Sequence, residues 1–267
     1  MTGHGTGHRV VRVPRERLLV LDMLSLAAGQ RTVHGLVEVD VTTARRRCAR
    51  AADPPTMTAF LLASLGRAVA RHPELNARRA GRRLVLFDDV DVAVSVEREL
   101  SSGPMPLPHV VRRASERSAA DIGAELTEVR SAPASGPGDL VGRPWVARTP
   151  AVLRRMGARA AGRVPAAVAR FGPPIGLSSL GMFGAGWGIP LSPMTVMVTV
   201  GGSSRRLVPV DGRAEEREVL PVTLSFDHTV VDGAPAARFA ATFRSLIEDA
   251  AVLVEHDGEH PGARSRA

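Results

Sequence analysis

The stretch Leu220-Pro-Val-Thr-Leu-Ser-Phe-Asp-His-Thr-Val-Val-Asp-Gly-Ala-Pro-Ala-Ala-Arg-Phe239 joins a strand to a helix through three residues that can carry chemistry, His228, Asp232 and Gly233. Val222, Leu224 and Phe226 alternate with Thr223, Ser225 and Asp227, the two-residue period of a strand with one apolar face. Beyond Pro235 the apolar residues Phe239, Phe243, Leu246, Ile247 and Ala250 fall at helical spacing, predicting a helix over 234–254. His228 therefore stands where a strand ends. Taken alone, Asp232 suits a helix cap, because a carboxylate there accepts backbone N–H bonds and Pro fits the first turn. Taken alone, His228 suits a structural histidine.

Outward from this stretch, Met194-Thr-Val-Met-Val-Thr-Val200 predicts a second alternating strand. Leu207-Val-Pro-Val with Asp211-Gly212 predicts a hairpin that returns into the strand ending at His228. Ile175-Gly-Leu-Ser-Ser-Leu-Gly-Met-Phe-Gly184 reads as a glycine-rich strand and turn containing Ser178. Nearer the N-terminus, residues 15–26 predict a short helix bounded by Gly29, and Leu36 to Val41 a strand. Thr42 or Thr43 would cap an arginine-rich helix, and Thr56 to His72 form a strongly apolar helix closed by Pro73. Asp89 to Val96 read as a strand, Met105-Pro-Leu-Pro-His-Val-Val as an apolar proline-containing run, and Ser118 to Arg130 as an amphipathic helix.

The chain's 267 residues can bury one substantial core, so a single main domain is expected over 15–255, with a flexible N-terminal lead over 1–14 and a flexible tail over 256–267. A hydrophobic content of 44% and 23% charged residues fit the globular class. There is no apolar run of 18 residues and no apolar core of a signal peptide at the N-terminus, so a cytoplasmic location is expected. His4 and His8 lack a third ligand, and no metal site is expected. Cys48 is the only cysteine, which excludes intrachain disulfides and cysteine-rich zinc sites. Lying among arginines, its thiol could be acidified into a nucleophile, or it could be an ordinary small residue on a helix.

All 35 basic residues are arginine. The absence of lysine excludes a Schiff-base lysine, a P-loop lysine and a lipoylated or biotinylated lysine arm within these residues. A net charge of +8 would attract nucleic acid, anionic membranes or phosphate-bearing ligands. With 3% aromatic residues and no tyrosine, stacking platforms are scarce, so no nucleic-acid partner is expected.

The run Ser225-Phe-Asp-His-Thr-Val-Val-Asp-Gly-Ala234 resembles the His-x-x-x-Asp-Gly signature of the CoA-dependent acyltransferase superfamily, which includes chloramphenicol acetyltransferase. Within it, the chain looks most like the catalytic domain of the E2 (dihydrolipoamide acyltransferase) subunit of 2-oxoacid dehydrogenase complexes. Val37-Glu-Val-Asp-Val-Thr, the helix after Thr58, His72-Pro-Glu-Leu-Asn76, Asp89 to Val96 and the Ile175 to Gly184 run follow in the order that family uses. The resemblance implies an α/β (α+β) two-layer sandwich, a chloramphenicol-acetyltransferase-like mixed sheet covered by helices. It covers roughly residues 15 to 255, leaving a basic helical insertion at about 132–172 outside it.

In that insertion, Ala132 to Gly138 read as a linker. From Pro144 to Phe171, apolar residues such as Trp145, Val152 and Met156 interleave with Arg148, Arg154, Arg155, Arg159, Arg163 and Arg170, with a break at Pro165. Two readings stand: a basic amphipathic pair touching an anionic membrane, a partner or CoA phosphates, and two surface helices with a solvated arginine face.

The resemblance implies a transferase with coenzyme A or acyl-CoA as substrate and no metal. His228 would be the general base, Ser178 the hydroxyl donor to the tetrahedral intermediate, and Asp232 a structural residue fixing the loop that aims His228. Gly233 would allow the tight turn, and His34 would be a substrate-binding wall residue. It also implies a homotrimer with active sites between subunits, His228 facing a neighbour's Ser178. Without a lysine arm in cis, the acceptor would be a lipoyl-carrier protein in trans or another small nucleophile. The rival reading is a non-catalytic trimeric scaffold that binds a dehydrogenase complex, CoA or a membrane. Thr229 departs from the arginine usual after the histidine and puts the family's local ion pairs in doubt.

Overall fold

A computed structural model describes residues 9, 10, 13, 15–51, 53–100, 103–132, 149–170, 172–181, 184 and 186–253. His4 and His8, the tail 256–267, and Trp145, Arg148 and Phe171 lie outside them.

The centre is a mixed sheet. Its strands are β1 (Thr32–Asp40), β4 (Val92–Leu100), β5 (Gly103–Val111), β6 (Ile175–Ser179), β7 (Val196–Val200), β8 (Ser204–Val210) and β9 (Arg213–Asp227), in the order β1-β9-β7-β6-β4-β5, with β8 paired to β9. β6 runs parallel to both β7 and β4, and the other pairings are antiparallel. A separate hairpin joins β2 (Ala77–Ala80) to β3 (Arg83–Leu86).

Alternation decides the two faces. Ile175, Leu177, Val196, Val198, Val222, Leu224 and Phe226 are buried on one face, against α3 (Met57–Ala70), α4 (Ala119–Ser131) and α7 (Gly233–Glu248). Helix α3 explains its own position: Thr56 caps it by accepting from Ala59 N at 3.2 Å, and ten of its residues are buried. Its Gly66 lies so close to the chain at Ala114 that an added Cβ would come within 2.5 Å of backbone. The opposite face carries the alternate residues Ser178, Thr195, Thr199, Thr223, Ser225 and Asp227.

The β8–β9 hairpin turns through Asp211 and Gly212, both at positive φ (48° and 78°), as a two-residue turn requires. At the other edge, Pro104, Pro106 and Pro108 recur at every second residue of β5. The nine-pair ladder with β4 needs donors from β5, so the prolines occupy positions whose N–H would face outward. That edge is therefore a poor template for an added strand.

Several boundaries differ from the expected ones. The cap of α2 (Thr42–Arg50) is Val41, with no side-chain cap bond; Thr42 Oγ1 instead accepts from Glu218 N at 2.8 Å, tying α2 to β9. β1 starts four residues before Leu36, because pairing with β9 extends it to Thr32. α7 stops at Glu248, followed by Ala250 at φ 49°, and a further turn covers 251–253. In the insertion, the described part is a helix, α5 (Ala151–Ala161), and one turn, α6 (Pro165–Val168), with the break at Pro165 as expected. α5 packs on α1 (Arg15–Ala27) through Asp22, which accepts from Arg154 Nε at 2.6 Å and Arg155 Nε at 2.9 Å. Among the described residues, no helix is long and apolar enough to cross a membrane.

Candidate active site

His228 follows the last residue of β9, and the turn that carries it is closed by backbone. Asp227 O accepts from Val230 N at 2.9 Å and Val231 N at 3.0 Å, while His228 N donates to Arg31 O at 2.8 Å. The imidazole is fixed by Nδ1, 2.8 Å from Val231 O. A carbonyl can only accept, so Nδ1 carries the hydrogen and Nε2 keeps its lone pair. The His228 side chain is 48% exposed.

Within one chain, Asp232 makes few of the contacts that hold this loop. Asp232 stands at the N-cap of α7 without a side-chain cap bond, is 89% exposed, and lies 3.8 Å from His228 Nδ1. The holding contacts come from Asp227, which is buried. Its Oδ1 accepts from Thr229 N at 3.0 Å and from Thr229 Oγ1 at 2.8 Å. Thr229, the departure from the family pattern, thus supplies a hydroxyl to the carboxylate beside it. A compensating charge comes from Arg78 on β2. Burial pushes the Arg78 pKa down, the field of Asp227 opposes part of that fall, and the net value is about 10. Arg78 donates to Pro173 O at 2.7 Å and Pro193 O at 3.1 Å, so it also ties together the chain on both sides of the Ser178 segment. Neither Asp227 nor Arg78 was singled out from the sequence. Asp227 had a visible signal, an acidic residue at a strand end on the face opposite the apolar one; Arg78, one of 35 arginines, had none.

Ser178 sits on β6, opposite Thr199 of β7, which sits opposite Thr223 of β9. His228 lies five residues beyond Thr223. Strand rise and spacing then put the Cα atoms of Ser178 and His228 roughly 20 Å apart. A serine and a histidine side chain cannot bridge that distance, so one chain does not bring the two together. Beside Ser178, Thr199 Oγ1 and Thr223 Oγ1 are buried without a partner. His34 pairs in register with Ser225, and its Nδ1 is 2.8 Å from Ser225 Oγ. His34 therefore lies on the same face as Asp227, near the strand end.

Cys48 is buried in α2. Burial pushes its thiol pKa up despite the nearby Arg45 charge, which removes the nucleophile reading. Gly233, the first residue of α7, has open space where a Cβ would stand. Its φ is not positive, so the tight turn expected to require glycine does not depend on it.

Residues 171–255 match the family model of the 2-oxoacid dehydrogenases acyltransferase (catalytic domain). The dihydrolipoyllysine-residue succinyltransferase component of the mitochondrial 2-oxoglutarate dehydrogenase complex of Saccharomyces cerevisiae is 36% identical over 75 residues, 27% of this chain and 16% of that protein. The chain spans about a fifth or less of the length of the curated relatives it matches. Among solved structures, a probable dihydrolipoamide acetyltransferase from Listeria monocytogenes superposes with a TM-score of 0.67 at 19% identity, covering 98% of this chain and 100% of that one. A dihydrolipoamide acetyltransferase (E2p) from Azotobacter vinelandii, in which the catalytic roles of a serine, a histidine and an asparagine were investigated, gives 0.66 at 21% identity, covering 95% and 98%. By sequence over 171–255 and by fold over nearly its whole length, the chain is similar to the acyltransferase catalytic domains of 2-oxoacid dehydrogenase complexes.

Proposed function

We propose that the protein is a CoA-dependent acyltransferase that moves an acyl group between CoA and a thiol, carried by a dihydrolipoyl protein in trans, or another small nucleophile. The observation that carries this reading is the His228 tautomer. With Nδ1–H bound to Val231 O, Nε2 is the only ring atom able to take a proton, on a side chain that is half exposed.

Thiols attack poorly at neutral pH because most are protonated, with a reference pKa of about 8.5. His228 Nε2 takes the thiol proton as sulfur forms its bond to the acyl carbonyl carbon. When the tetrahedral intermediate breaks its other C–S bond, the same nitrogen returns the proton to the leaving thiolate. Each turnover leaves His228 as it began. Ser178 is the donor to the carbonyl oxygen while that oxygen is negative, a role typically worth ~10²–10³ in rate.

The roughly 20 Å between Ser178 and His228 in one chain means that these two roles are filled by different copies. A homotrimer with its active sites between subunits meets that requirement. The asparagine investigated in the Azotobacter vinelandii protein stands four residues after its histidine, where this chain has Asp232. Within one chain, Asp227 rather than Asp232 makes the contacts that position the His228 turn.

The test follows free CoA, separated from acyl-CoA by chromatography, in the presence of dihydrolipoamide, for the wild type and His228→Ala. A loss of about 10²–10⁴-fold is expected. Equal rates, or no transfer by the wild type to any thiol acceptor, would overturn the reading.

A further inference from the structure

Two stretches of the chain, 77–87 and 149–170, hold nine arginines and no aspartate or glutamate. Three of the nine are accounted for: Arg78 is largely buried, and Arg154 and Arg155 donate to Asp22. The other six, Arg79, Arg82, Arg83, Arg159, Arg163 and Arg170, are exposed, and none is paired with a carboxylate among the described residues. Arg112, Arg206 and Arg244, by contrast, meet Asp91, Glu38 and Glu248. The two stretches adjoin in space. α6 packs on both strands of the β2–β3 hairpin, and a Cβ at Gly81, in the turn of that hairpin, would stand 3.9 Å from Arg163 O. The six cations therefore belong to one region of the surface.

That region is apolar as well as basic. No residue of α5 is buried. At about 3.6 residues per turn, Leu153, Met156 and Ala160 share one side of α5, while Arg154 and Arg155, which grip Asp22, lie on the other. The stripe is thus turned away from the anchoring contact. Arg159 stands beside it, Val164 follows just past the helix end, and all of these stripe residues are exposed. On the hairpin, Arg79 pairs in register with Leu84, so an exposed cation and an exposed leucine are neighbours there too.

We infer that the hairpin and the α5–α6 segment form a surface that rests on an anionic phospholipid membrane. Guanidinium groups donate to lipid phosphates, two N–H groups at once where the fork fits, and the apolar stripe enters the boundary between headgroups and acyl chains. The helix lies on the bilayer and does not cross it; among the described residues, none is long and apolar enough to do so. A nucleic acid would satisfy the arginines but leave Leu153, Met156 and Val164 in water. A neutral apolar partner would cover those residues and strand the cations beside them. Anionic lipid meets both demands. The inference stands apart from the acyl-transfer reading, and its test reads no activity.

Purified protein is sedimented with vesicles of phosphatidylcholine alone and of phosphatidylcholine mixed with phosphatidylglycerol. Binding to the mixed vesicles and not to the neutral ones is expected, with release as salt rises. Arg159→Gln, Arg163→Gln and Arg170→Gln together should weaken binding about a hundredfold, at roughly fivefold per charge. Leu153→Ser with Met156→Ser should weaken it at least about tenfold. Both variants alter exposed positions and should keep the wild-type circular dichroism spectrum. A polarity-sensitive dye on Met156→Cys, with Cys48 buried, should shift to the blue on the anionic vesicles, whereas the same dye on Leu207→Cys, exposed on β8, should not. No binding to the anionic vesicles, equal binding to the neutral ones, or binding that both variants retain would overturn the inference. Sedimentation without a dye shift at position 156 would overturn it as well, marking a charge-only patch suited to an acidic protein or a nucleic acid.

Discussion

Asp227 and Asp232 flank the same histidine, and the structure assigns them opposite weights. Replacing Asp227 by Asn keeps an oxygen that can accept from Thr229, but it removes the negative charge that faces the buried Arg78. Breaking a buried ion pair in direct contact from one side costs about 3–5 kcal/mol, because the remaining charge stays desolvated. Asp227 acts on Arg78 through its field and not through a contact, and Arg78 keeps the carbonyls of Pro173 and Pro193, so the cost falls below that range, to about 2–3 kcal/mol. At 2–4 °C per kcal/mol for a chain of this class, the melting temperature should fall by roughly 4–12 °C. The turn that aims His228 loosens with it, and the acyl-transfer rate should fall at least tenfold. Asp232→Asn removes an 89% exposed carboxylate that makes no hydrogen bond to its own helix end. Exposed pairs of this kind contribute about 0–1 kcal/mol, so stability should hardly move and the rate should stay within about fivefold. Thermal melts by circular dichroism and initial rates of free CoA formation, read by chromatography, measure both. Equal losses in the two variants, or a larger loss for Asp232→Asn, would refute the assignment of the positioning role to Asp227.

Other outcomes follow from single contacts. Ser178→Ala should lower the rate about 10²–10³-fold while leaving the melting temperature within a few degrees, as read by the same assays. Glu125 accepts from Arg117 and His109; burial would raise its carboxyl pKa, but these partners outweigh it and hold the value below the ordinary one. Its contribution to stability is then complete above the unfolded-state pKa and lost as pH falls through the lower folded value, so wild-type urea midpoints should drop from about pH 5 toward pH 3 more steeply than those of Glu125→Gln. Gly66→Ala, which would drive a Cβ within 2.5 Å of the Ala114 backbone, should cost at least about 1–3 kcal/mol and show as poor soluble yield and an early melt.

The strands and the apolar helices were legible in sequence because each has one buried face. Val222, Leu224 and Phe226 alternate strictly, and the residues that alternate with them form the opposite face. The position of His228 at a strand end was legible for the same reason. What escaped was everything set by distant pairing. The cap of α2 moved to Val41 because Thr42 Oγ1 is taken by Glu218, 176 residues away. Asp227 gains its buried counter-charge from Arg78, on a separate hairpin, and periodicity carries no signal for that. The separation of Ser178 from His228 depends on strand order, since two inter-strand spacings and five residues separate them only once β7 is known to stand between β6 and β9. The local motif suggested a loop held by Asp232; three-dimensional packing gave the task to the aspartate on the other side of the histidine.

The central claim is that Ser178 of one copy works with His228 of another, and subunit complementation tests it most directly. Ser178→Ala and His228→Ala chains, each inactive alone, are co-expressed, purified together and assayed for acyl transfer. If sites form between copies that mix at random in a closed ring, about one site in four receives both intact residues, and activity should return to about a quarter of the wild type. If mixed assemblies form and activity stays at the level of the single variants, the two residues do not meet across subunits and the account fails.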